Sequence, residues 1–151
     1  RDSGRCRSIG VINFEEPHLQ MLFEMSGIVP AVNQIECHPL WNRKKLVSYC
    51  QQHGIAVQAY APLARGLYLN REIIVRLAEK YGRTPAQIGL RYLVQRGICV
   101  IPKSTNPSRI AENAAIFDFQ LSDLDMELID SMDEQFRSAS IPDDMIGQGV
   151  H

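Results

Sequence analysis

The chain contains no apolar run approaching the roughly 20 residues that cross a bilayer, and no secretory signal is recognisable in it. A cytoplasmic protein is expected. Cysteine is sparse. Cys6, Cys37, Cys50 and Cys99 include no C-x-x-C pair, and the four His are scattered, so neither a disulfide framework nor a clustered zinc site is expected. A basic excess is missing too: 16 Lys+Arg stand against 17 Asp+Glu, a formal net charge of −1, which argues against nucleic-acid or membrane-surface binding. The G-x-G-x-x-G phosphate loop of open dinucleotide-binding sheets is also absent. What remains is 151 residues, 45% of them hydrophobic, enough for one domain with a sizeable core.

The first residues, RDSGRCR, lack an initiating Met and read as a loop feeding a strand, so a preceding segment is expected. Ser8 to Ile12 is a short apolar run of buried-strand type. Glu15-Glu16-Pro17 suits a first helical turn, and Leu19, Leu22 and Phe23 recur at helical spacing before Gly27. Ala31 to Glu36 is a second strand. Asn42 is placed to cap a helix carrying Leu46, Val47 and Cys50, which stops at Gly54. Ile55 to Tyr60 is a third strand, followed by the loop Ala61 to Gly66. Ile73 to Tyr81 is helical. Thr84-Pro85-Ala86-Gln87 is a capping box opening a further helix that ends at Gly97. Ile98 to Ile101 is the fourth strand. Asn106-Pro107 starts one more helix, and Leu121 to Met126 the last. The expected order is β-α-β-α-β-α-α-β-α-α, and since the strands are mostly buried runs the sheet is expected to be parallel.

Four such strands suit an open sheet or part of a barrel. Polar residues cluster at their C-terminal ends: Asn13, Gln34, Glu36, Tyr60 and Lys103. Eight-stranded α/β barrels build their sites at that end, but need about 250 residues. The stretch after the fourth strand carries its own chemistry. Lys103 and Ser104 lie in a loop, a helix begins near Asn106, and Arg109 falls in its first turn. Unpaired N–H groups at a helix start, a point charge and a forked guanidinium together suit a phosphate ester. A solvated helix start with two surface cations is the bland alternative.

Taken in order, the segments SIGVINF, VNQIECHP, VQAYAPLARG, TPAQIGLRYLVQRG, VIPKSTNPSRIAENAAIFDF and LSDLDMELIDSMD resemble the aldo-keto reductases, from about Ser8 to Asp133. The resemblance implies an α/β fold, specifically the C-terminal half of a (β/α)8 TIM barrel with parallel strands and outer helices, residues 1–151 forming a single partial domain with strands five to eight. It implies NADPH as cofactor, with Lys103, Ser104 and Arg109 at the 2′-phosphate and Glu112 and Asn113 near the adenine. Tyr60 would stack on the nicotinamide, Asn13 and Gln34 would hold its carboxamide, and Leu63 with Ala64-Arg65-Gly66 would lie along the pyrophosphate. Ile12 departs from the family's usual V-S-N-F, replacing a Ser that shares the carboxamide contact.

In the family the proton-donating Tyr, its Lys and Asp neighbours and a substrate-orienting His come from the first half of the barrel, and none of their segments occurs here. No catalytic residue is therefore assigned. His38, in ECHP, reads as framework rather than as a base. His18 and His53 read as surface residues, and Trp41 as either packing or pocket lining. The expected function is reduction of aldehydes or ketones by the parent enzyme, with this chain as its cofactor-binding half. The alternative is an NADPH-binding half barrel without chemistry, or an inactive fragment. Expected partners are a small carbonyl substrate and either the missing N-terminal half of the barrel or a second copy. The short polar tail from Ser138 to His151 does not suggest a large steroid-shaped pocket.

Overall fold

A computed structural model describes residues 4–139, so the expectations for the first three residues and for the tail beyond Ala139 lie outside the described residues. The elements are β1 (Gly10–Ile12), α1 (Glu16–Ser26), β2 (Val32–Glu36), α2 (Lys44–Gln52), β3 (Ala56–Tyr60), a 3₁₀ turn (Ala64–Gly66), α3 (Glu72–Tyr81), α4 (Pro85–Gln95), β4 (Cys99–Val100), α5 (Pro107–Ala114) and α6 (Asp123–Asp130). Their order is the one expected from periodicity. The strands are one to two residues shorter, because the pairing needed to define them begins after the apolar run does.

The chain packs as two compact units. Among described residues, the first comprises 4–35 and Arg43–Gln58, and the second Glu36–Asn42 and Ala59–Ala139. The four strands have the sheet order β1-β2-β3-β4. In the first unit β1 runs parallel to β2, with Gly10 opposite Val32 and Ile12 opposite Gln34. Leu19, Ile35, Leu46, Val47, Cys50, Ile55 and Val57 form its core. Asn33 is fully buried and earns its place by hydrogen bonds. Its Nδ2 donates to the Phe14 carbonyl at 2.8 Å, and its Oδ1 accepts from the Phe14 N–H at 3.4 Å, which ties β2 to the loop leaving β1.

The expected cap of α2 is not the one found. Arg43 occupies the N-cap, at φ 52. In the second unit Asn42 is buried, and its Nδ2 donates to the Asp130 carbonyl at 3.3 Å. The expected box at Thr84 does form. The Thr84 hydroxyl accepts from Gln87 N at 3.3 Å, and Gln87 Oε1 accepts from Thr84 N at 3.0 Å.

α4 is the beam of the second unit. It buries Ile88, Gly89, Leu90, Tyr92 and Leu93. Gly89 is forced by Tyr68: a Cβ there would lie 2.0 Å from the Tyr68 hydroxyl, which donates to the Pro62 carbonyl at 3.0 Å. Along another stripe of α4, Gln87, Arg91 and Gln95 recur every four residues and bond backbone carbonyls from the last turn of α5 onward. Gln87 donates to the carbonyls of Glu112 and Ala115, Arg91 to Ile116, and Gln95 to Leu121. These side chains satisfy carbonyls that irregular backbone would otherwise bury unpaired.

The strands are each more buried on one side than on the other. In the first unit Val57, Asn33 and Ile35 are buried, while Ala56 is exposed, Val32 and Gln34 are half-buried, and Ile12 is 54% exposed. In the second unit Ile98 is buried, but Cys99 and Ile101 are exposed. Side chains alternate across a strand, so each strand covers one face with its helices and leaves the other open.

Candidate functional site

The largest concentration of candidate residues lies wholly in the second unit. A cleft of about 510 Å³ is lined by Leu63, Arg65 and Gly66 at the turn after β3, by Asn70, by Thr84 and Pro85 at the start of α4, by Lys103 and Ser104 after β4, and by Arg109, Glu112 and Asn113 on α5. Eight of the residues singled out from the sequence thus line one cavity: Leu63, Arg65, Gly66, Lys103, Ser104, Arg109, Glu112 and Asn113. Tyr60 ends β3 in the same unit, half-buried, and does not line this cleft. Asn13 and Gln34 belong to the first unit.

The charge of the cleft favours an anion. Arg65, Lys103 and Arg109 are exposed cations, and Glu112 is the one carboxylate among its lining residues. Among the described residues neither Lys103 nor Arg109 makes an ion pair, so a ligand would not have to displace a competing carboxylate from either. Glu112 Oε1 accepts instead from the Thr84 hydroxyl at 2.7 Å. Asn113 is buried, the only residue of α5 that is.

The start of α5 corrects one part of the sequence reading. Free amides were expected there, and they are already used. Pro107 has no N–H, and Asn106 Oδ1 accepts from the N–H groups of both Ser108 (2.9 Å) and Arg109 (3.3 Å). Ser104 Oγ accepts from Asn106 N at 3.1 Å. An anion in this cleft would therefore meet side chains, with the helix contributing only its dipole.

In the first unit Asn13 has φ 56, a left-handed conformation that Asn tolerates better than most residues, and its N–H donates to the Gln34 carbonyl at 2.9 Å. It is not a helix cap, since Glu15 fills that role for α1. The Gln34 amide donates to Gln58 Oε1, a partner that sequence reasoning missed.

His38 and Glu36 meet at the end of β2, both buried. Their side chains lie 3.1 Å apart, and Glu36 Oε1 also accepts from the N–H groups of Ser138 and Ala139 and from the Ser138 hydroxyl. Burial raises the Glu36 pKa, but the hydrogen bonds from His38 and Ser138 outweigh it and hold the carboxyl below its ordinary value. This is the framework reading of ECHP, with a carboxylate committed to backbone. Trp41 is half-buried with the Arg137 guanidinium 5.1 Å from its ring, and it lines no part of the cleft. None of the four Cys is in a disulfide. Among the described residues no cluster of His, Cys, Asp and Glu is arranged to hold a metal, and no helix is long and apolar enough to cross a membrane.

Comparison with known proteins shows the family. The model of the aldo/keto reductase family matches residues 1–134, and the chain belongs to that family. It is 51% identical over 133 residues to an aldo-keto reductase of Mycolicibacterium smegmatis, covering 88% of this chain and 48% of the relative. It is 43% identical over 143 residues to a glyoxal reductase of Bacillus subtilis, covering 95% and 52%. The crystal structure of an aldo-keto reductase of the silkworm Bombyx mori, complexed with NADPH, superposes with a TM-score of 0.84 at 38% identity, over 91% of this chain and 46% of that one. The fold is thus the parallel-strand α/β fold that matches aldo-keto reductase barrels. The chain spans about half the length of the relatives it matches.

Proposed function

We propose that this chain is the cofactor-holding, C-terminal half of a (β/α)8 barrel in an NADPH-dependent aldo-keto reductase that reduces small aldehydes or ketones to alcohols. The observation that carries the reading is the cleft: three cations, none competed for by the lone carboxylate, around a cavity of about 510 Å³. Those residues fit a phosphorylated adenosine. Lys103 and Arg109 neutralise the 2′-phosphate, one as a point charge and one as a fork, and the Ser104 hydroxyl adds a donor. Glu112 accepts from the adenine amino group, and Arg65 lies where a second phosphate can reach it.

When bound, the dinucleotide supplies the hydride. The chain's own part is to bind, orient and exclude water. Tyr60 is assigned to the nicotinamide ring and Asn13 and Gln34 to its carboxamide on the family resemblance. Ile12, an apolar side chain where the family has Ser, leaves that carboxamide contact to Asn13 and Gln34. The proton donor and its neighbours are assigned to the remainder of the barrel. The strand faces left open by Ile12 and Ala56, and by Cys99 and Ile101, support the half-barrel reading and a covering partner, either that remainder or a second copy. Small dicarbonyls are the first substrates to try, since a glyoxal reductase is among the relatives.

The test is oxidation of NADPH by the full-length protein when glyoxal is added. Aldehyde-dependent consumption of NADPH, much slower with NADH, is expected. No consumption across a panel of aldehydes and ketones contradicts the enzymatic reading and favours a binding module.

A further inference from the structure

We infer that Thr84, the cap of α4, is a positioning residue for the adenosine end of the cofactor and acts through Glu112. The inference rests on the cleft reading above, and adds a residue that neither charge nor position in the sequence marks out.

A threonine hydroxyl has one proton and two lone pairs. At Thr84 the oxygen accepts from Gln87 N at 3.3 Å as part of the helix cap, and the proton is spent on Glu112 Oε1 at 2.7 Å. The main chain of Glu112 is held from the same helix, since Gln87 Nε2 donates to its carbonyl at 3.1 Å. Both ends of Glu112 are therefore fixed to the first turn of α4. Oε2 is left to accept from a ligand donor in the cleft. Ordering a long Glu side chain costs rotamer entropy, and here that cost is met before any ligand arrives.

The contact has a second consequence. Glu112 follows Arg109 by three residues on α5, the spacing at which side chains of opposite charge meet on a helix. A freed carboxylate would fall on that guanidinium and compete with the phosphate for it. Tied to Thr84, Glu112 instead makes no ion pair among the described residues. One hydroxyl thus keeps an acceptor aimed at a base and a cation open to a phosphate.

The experiment uses the full-length protein, with NADPH and its hypoxanthine analogue as probes. The analogue carries an oxygen where adenine carries the amino donor, so a carboxylate held against that position meets an acceptor instead of a donor. Wild type should bind NADPH about tenfold more tightly than the analogue, the size of effect of one hydrogen bond to a charged group. Thr84→Ser keeps both the donor and the cap, and should retain that preference. Thr84→Val and Thr84→Asp should lose most of it; Asp still caps the helix but has no proton to give, so the loss cannot be charged to the cap. In a Glu112→Ala background, Thr84→Val should leave NADPH affinity unchanged. Retention of the preference by both Val and Asp variants overturns the inference. So does an equal loss of NADPH affinity from Thr84→Val with and without Glu112. If wild type itself does not distinguish the two dinucleotides, the cofactor reading has failed and the inference falls with it.

Discussion

Two helices of the second unit, α4 and α5, open with the same device. Each has Pro at its first position behind a side-chain cap, Thr84 for one and Asn106 for the other. From there they diverge. α4 buries six residues and uses Gln87, Arg91 and Gln95 to satisfy backbone carbonyls from the last turn of α5 onward. α5 buries only Asn113 and keeps Arg109 in solvent beside Lys103. Their caps differ in the same sense. Asn106 closes on the two amides of its own helix, whereas the Thr84 hydroxyl reaches across to Glu112. One helix is anchored on all sides so that the other can afford exposed, unpaired charge. Stability and ligand binding should therefore respond to different residues.

That division can be broken from the scaffold side first. Gly89→Ala puts a Cβ into the Tyr68 hydroxyl, and burial of that ring leaves it nowhere to go. A loss of about 3 kcal/mol is expected, against the usual gain from replacing a helical Gly, and urea unfolding measures it. Gln87→Ala removes the donor to two carbonyls and half of the capping box. It should cost about 2 kcal/mol by the same measurement and, unlike Gly89→Ala, also loosen Glu112.

Acid titration is a gentler probe. Glu36 has its pKa held below the ordinary carboxylate value in the folded chain, so the stability it contributes is present above the unfolded pKa and is lost as pH falls through the folded one. Glu36→Gln should flatten that acid limb in thermal melts followed as a function of pH. The smallest effect is expected at the α5 cap. Asn106→Ala should cost about 1 kcal/mol and release the Ser108 and Arg109 amides; a larger loss would mean that α5 is as structural as α4.

Much of this architecture was legible in the sequence, for identifiable reasons. Apolar runs bounded by Gly and Pro gave the element order, and Thr84-Pro85-Ala86-Gln87 gave a helix start that forms as expected. Lys103, Ser104 and Arg109 were visible because they follow a strand end and open a helix, whereas Glu112 and Asn113 came only from the family resemblance. What stayed hidden depends on contacts distant in sequence. Thr84 read only as a cap, because its bond to Glu112 spans 28 positions. Gln87 read only as part of a capping box, and Arg91 and Gln95 drew no reading, because no pattern tells a polar stripe facing water from one facing backbone. Asn42 read as a cap for want of any sign that Asp130 would recruit it, and Asn106 read as an exposed helix start although its own side chain fills the vacancy.

The central claim is that Lys103 and Arg109 grip the phosphate that distinguishes NADPH from NADH, and a pair of dissociation constants tests it most directly. Replacing both with Ala in the full-length protein should weaken NADPH binding about 100-fold while moving NADH by less than about threefold, with melting temperature unchanged. Equal weakening of both dinucleotides, or of neither, would contradict the account.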